Sequence, residues 1–192
     1  MVKLPGWISR QGRPLLVSLV AVGLLTAALA PVNQFYLAFV ALAPLLVWLR
    51  ESKTHKAAFF WSWIAGTLLF TANMWWMANI TLPGGIALMI YCGLYWGVTG
   101  LIIRSTNLLN RNSILAVLGI AAIWVSIEWL RSYEFNGFAW LYIGYTQSAN
   151  LPMSQIADFS AIYGVSFWLI AINVLAAQIW IHRKELGKMI PS

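Results

Sequence analysis

Charge is what this sequence has least of: 9% of its 192 residues are Asp, Glu, Lys or Arg, against about a quarter in an average soluble domain. With 61% of residues hydrophobic, a water-soluble fold could not cover its own surface. Cysteine is scarcer still. The single Cys92, set inside an apolar stretch, excludes an internal disulfide and a cysteine-based zinc site. Nothing resembles a phosphate loop or a metal cluster, so no cofactor and no metal is expected. The formal net charge of +7 would point to nucleic acid if the cations shared one face, but they lie in short clusters between apolar runs. They are topology signals, and no nucleic-acid partner is expected.

What the sequence does have is long apolar runs. A hydrocarbon core of about 30 Å calls for roughly 17 to 25 apolar residues per helix. Six segments stand out, at residues 15–30, 36–49, 57–77, 86–103, 114–130 and 156–181. Residues 1–192 are therefore expected to form one all-α integral membrane domain with about six transmembrane helices. The first two segments are short and are separated by Pro31-Val32-Asn33-Gln34-Phe35, so they form either full spans or a tilted or re-entrant hairpin. A secretory signal peptide competes for the first segment, because a basic start, an apolar run and Ala28-Leu29-Ala30 resemble its three regions. A retained anchor is the better reading, since the apolar run resumes at Tyr36.

Lys and Arg are retained on the cytoplasmic side during insertion. The N-terminus holds Lys3, Arg10 and Arg13, the second loop Arg50, Lys53 and Lys56, the fourth Arg104 and Arg111, and the tail Arg183, Lys184 and Lys188. Only Arg131 of the twelve basic residues falls elsewhere. Both termini are expected inside, in a multi-pass protein of the bacterial inner membrane, with the loops near Pro31, Pro83 and Gly137 outside.

Polar groups within the spans are few. Glu128 ends the fifth segment, and helical spacing puts Trp124, Glu128 and Arg131 on one stripe, so an ion pair of Glu128 with Arg131 is available. A structural pair locking the helix end is the plainer reading; contact with a substrate head group is the alternative. Asn73, Ser166 and Asn173 are expected as interhelical glue, and Gly93, Gly97 and Gly100 as a surface for close helix approach. Nucleophilic catalysis needs a nucleophile with a base in reach. His55, His182 and all five lysines fall on the cytoplasmic side, apart from any outer-face site, and Cys92 is expected to be a packing residue.

The stretch after Arg131 is aromatic yet broken by glycines: Gly137-Phe138-Ala139-Trp140-Leu141-Tyr142-Ile143-Gly144-Tyr145-Thr146-Gln147. It is too irregular for a spanning helix. It is either an interfacial aromatic belt or backbone lining a wet cavity. Together with Ile127-Glu128-Trp129-Leu130-Arg131 it resembles the outer-loop signature of apolipoprotein N-acyltransferases, with Ala139 where that family usually has proline. The Pro31 hairpin, Asn73-Met74-Trp75-Trp76 and Ile162-Tyr163-Gly164-Val165 add to the likeness, which covers essentially the whole chain.

The resemblance implies an enzyme that moves an acyl chain from a phospholipid donor to the N-terminal amino group of a diacylated lipoprotein. It places the catalytic Cys, Lys and Glu in a nitrilase-like domain that this sequence does not contain. No catalytic residue is carried over. Glu128, Arg131, Trp140, Gly144, Tyr145 and Gln147 match the motif and are expected to line a lipid-facing cavity. The expected function is the membrane part of such an enzyme, inactive alone and acting with a separate nitrilase-like subunit. A truncated inactive remnant, or a small transporter or scaffold subunit, is the competing reading.

Overall fold

The computed structural model describes residues 12–134 and 137–189, without the side chains of 184–189. Lys3 and Arg10, and the side chains of Lys184 and Lys188, lie outside the described residues. The described chain is a helical bundle: α1 (Arg13–Ala28), α2 (Ala43–Glu51), α3 (His55–Met74), α4 (Leu82–Ser105), α5 (Ile114–Arg131), the short α6 (Leu151–Ser154) and α7 (Ala157–Met189). Local sequence starts the long helices. Thr54, Thr81 and Ser113 each accept the amide three residues on, at Ala57, Gly84 and Ala116, satisfying a donor the helix itself cannot pair.

Among the described residues four helices are long and apolar enough to cross a membrane: α3 with the 3-10 turn Trp75–Asn79, α4, α5, and α7 as far as Arg183. The first two of the six expected segments are not among these four. Helix α1 has 16 residues, about 24 Å at 1.5 Å per residue, and α2 has nine, about 14 Å. The second segment is a 3-10 turn, Phe35–Phe39, followed by a break and then α2. The pair still forms a hairpin, because Arg13 at the start of α1 meets Glu51 at the end of α2 at 2.5 Å.

A break inside an apolar bundle exposes backbone groups that hydrocarbon cannot satisfy. Asn173 of α7 supplies the partners: its Oδ1 accepts the Leu42 amide and its Nδ2 donates to the Ala38 carbonyl, both at 2.8 Å. Elsewhere the packing is close because glycine allows it. A Cβ built on Gly66 would come within 2.6 Å of Trp96, and one on Gly97 within 3.0 Å of Phe59, so α3 and α4 lie tightly face to face.

The bundle has two chemically different ends. At one, Arg50 donates to Asn110 (3.0 Å), Arg104 to the Ser52 carbonyl (3.1 Å) and Gln178 to the Arg111 carbonyl (3.1 Å). These bonds tie the loop after α2 to α4, and the loop after α4 to α2 and α7. The other end carries the turn at Pro31, the Trp75–Asn79 turn and the segment between α5 and α7.

Candidate functional site

Helix α5 ends in a buried acid and a buried base that face different partners. Glu128 Oε1 accepts from the Trp124 indole at 3.2 Å and from the Ile143 amide at 3.0 Å. The Arg131 guanidinium lies between two aromatic faces, 4.9 Å from the centre of Phe70 and 4.8 Å from that of Tyr142. It is also close to the Cys92 thiol. The direct Glu128–Arg131 ion pair that the spacing made available is not formed, and Glu128 Oε2 and Arg131 Nη1 are both buried without a hydrogen-bond partner. The reason is the loop. Its backbone folds over the helix end and claims one carboxylate oxygen, while its Tyr142 ring claims the guanidinium.

Beyond Arg131 the chain doubles back. The Phe138 amide donates to the Arg131 carbonyl at 3.0 Å, and Gly137 turns with φ +69°, where a Cβ would strike the Ser132 carbonyl. A 3-10 turn, Ile143–Gln147, follows. Its Gly144 amide donates to Ser166 Oγ at 2.9 Å, and a Cβ on Gly144 would lie 2.8 Å from the Ile162 carbonyl. Glycine is required by that close approach. Gln147, fully buried, donates to the Phe35 carbonyl at 3.0 Å, which joins this turn to the N-terminal hairpin.

Above this floor lies an open cleft of about 450 Å³, bordered by Leu29, Ala30, Asn73, Trp140, Tyr145 and Ser148. The Trp140 ring, which borders the cleft, is packed 5.7 Å from that of Trp76. Tyr145 donates to the Ala139 carbonyl at 3.1 Å. Burial pushes the phenols of Tyr142 and Tyr145 above their ordinary range, so both stay neutral hydroxyls.

The six motif residues thus divide by depth. Trp140 and Tyr145 face the cleft; Glu128, Arg131, Gly144 and Gln147 lie beneath and hold the loop. Asn73 does both, lining the cleft while its Nδ2 donates to Thr26 Oγ1 at 2.9 Å across α1 and α3. Sequence reasoning did not anticipate Phe70 or Tyr142 as the partners of Arg131. Phe70 carries no local signal, since an aromatic ring in an apolar helix reads as lipid-facing. Nor did it anticipate the chain in which Tyr95 donates to Glu134 at 2.9 Å and shares a hydrogen bond of 2.5 Å with Tyr91. Cys92 is fully buried within α4, and His55, Lys53 and Lys56 lie at the opposite end of the bundle from the cleft.

Residues 21–175 match the family model described as the apolipoprotein N-acyltransferase N-terminal domain. Similar proteins include an apolipoprotein N-acyltransferase of Coxiella burnetii, 32% identical over 91% of this chain and 38% of that protein. Another, of Azotobacter vinelandii, is 30% identical over 97% of this chain and 37% of its own length. A third, of Chlorobaculum tepidum, is 30% identical over 78% and 28% respectively. The chain spans well under half the length of these relatives.

Proposed function

Because this chain belongs to the apolipoprotein N-acyltransferase N-terminal domain family, we propose that it is the membrane part of a lipoprotein N-acyltransferase, working with a nitrilase-like part on a separate subunit. In that reaction a nucleophile takes the acyl group from the phospholipid, which leaves as its lyso form, and the amino group of a diacylated N-terminal cysteine then attacks the acyl carbon, forming the amide and releasing the nucleophile. The nucleophile and base belong to the nitrilase-like part. This chain supplies the membrane-embedded platform, and alone it turns over nothing.

One observation carries the reading: the cleft bordered by Trp140 and Tyr145, with Trp76 packed against Trp140, stands on a polar floor at the end of the bundle away from the basic clusters. Indoles suit lipid head-group depth, and a firmly held loop keeps the rim in place for a two-chain substrate. The charge partition supports an inner-membrane orientation with the basic end in the cytoplasm. The Arg13–Glu51 pair supports six crossings with both termini inside, since it returns the hairpin to the end where it began.

The test is reconstitution in proteoliposomes with a nitrilase-like part, phospholipid and a diacylated lipopeptide. Turnover is expected from the pair and from neither component alone, and it should fall steeply with Trp140→Ala. A nitrilase-like part that works equally well without this chain would overturn the proposal.

A further inference from the structure

Glu128 and Arg131 each keep one buried side-chain atom, Oε2 and Nη1, without a partner among the described residues, and both residues border one small cavity between α4 and α5. Tyr95, Thr99 and Trp124 form much of the remaining wall. Glu128 is 7% exposed and Arg131 3%, so bulk solvent does not satisfy the two atoms. A buried hydrogen-bonding atom left bare is costly, and more so on an ionic group.

The volume decides what can lie between them. At about 10 Å³ the cavity has the room that one water needs, and a phosphate or a lipid head group is too large for it. Charge narrows the choice further, since a metal ion would face the Arg131 guanidinium and a halide the Glu128 carboxylate. A guanidinium N–H only donates and a carboxylate oxygen accepts, so the ligand must accept from one residue and donate to the other. Water does both and keeps one hydrogen. Thr99 offers an oxygen for it, because its own hydroxyl hydrogen goes to the Tyr95 carbonyl at 2.7 Å. Three polar partners are usual for a buried water.

We propose that this cavity binds a single ordered water, which accepts from Arg131 Nη1 and donates to Glu128 Oε2. The loop keeps the two side chains from meeting directly, with the Ile143 amide on Glu128 and the Tyr142 ring against Arg131. The water joins them beneath it, at a small cost in immobilisation, so the two buried anchors of the loop act as one unit. The site is independent of the acyltransferase reading and needs only the folded bundle.

The full chain, in lipid nanodiscs with a rigid antibody fragment bound, is imaged by cryo-electron microscopy at a resolution that shows ordered water. One solvent peak is expected about 3 Å from both Glu128 Oε2 and Arg131 Nη1. X-ray footprinting gives a second readout, because hydroxyl radicals formed from a bound water oxidise the side chains beside it. Trp124, 5% exposed and bordering the cavity, should be oxidised in the unaltered chain. Glu128→Leu with Arg131→Met removes both polar partners and should slow that oxidation severalfold, while Trp48, 8% exposed in α2, should react as before. Should the double variant not fold, the map of the unaltered chain decides alone. A map without the peak, or with Glu128 and Arg131 bonded directly, would overturn the proposal. So would Trp124 oxidation that is as fast in the folded double variant, since the radicals would then come from bulk solvent.

Discussion

The side-chain oxygen of Asn173 accepts the Leu42 amide at 2.8 Å across 131 residues of sequence. That bond, with the donation to Ala38, lets a broken segment sit inside an apolar bundle against α7. Replacing Asn173 with leucine keeps the volume and strands one buried donor and one buried acceptor. Each stranded group costs about 1–3 kcal/mol. Asn173→Leu is expected to lower the unfolding midpoint of the detergent-solubilised protein by correspondingly several degrees.

Arg131 is held by rings instead of by Glu128, and this changes which pair of residues should be energetically coupled. A desolvated cation over an aromatic face is stabilised by about 2 kcal/mol. In a double-mutant cycle, Arg131→Met and Tyr142→Leu are expected to show clear coupling. Glu128→Gln combined with Arg131→Met should show less, since no hydrogen bond joins those two side chains. Unfolding measurements on the two single variants and the double variant of each cycle, with the parent, decide it.

Within α7, Ala161 adopts φ 51° and ψ −162°, a region that residues with a Cβ rarely occupy and that costs on the order of 1–3 kcal/mol. Ala161→Gly removes that strain and is expected to raise stability by about 1 kcal/mol, after the greater freedom glycine has in the unfolded chain is subtracted. The same substitution at Ala171, buried in regular helix, should lower it. Parallel thermal melts make the comparison.

The two ends of the bundle should differ in accessibility across an intact membrane. Single cysteines placed at Lys56 and at Ser148 in a Cys92→Ala background are expected to label from opposite sides with a membrane-impermeant maleimide, Ser148 from the periplasm. A cysteine at Asn33 should label with Ser148, and one at Arg183 with Lys56. Asn33 and Lys56 labelling from the same side would remove the hairpin crossing.

Much of this was legible from residue order alone. Apolar runs specify helices in lipid because no other acceptor for backbone N–H groups exists there, and the grouping of Lys and Arg separates the two ends because cations resist translocation. The glycine-broken aromatic run marked the loop that holds the site, and Gly93 and Gly97 marked the close approach of α3 and α4. Partners across the fold were not legible. Helical spacing offered Arg131 to Glu128, but spacing describes one helix in isolation, and the loop returning over its end brought the Ile143 amide and the Tyr142 ring nearer. The sequence determined that residues 36–49 are apolar; only the tertiary structure decided that they break, because the acceptor and donor that make the break tolerable sit on Asn173, more than a hundred residues away. Buried polar groups are satisfied by whatever lies in reach, and reach is a property of the folded bundle.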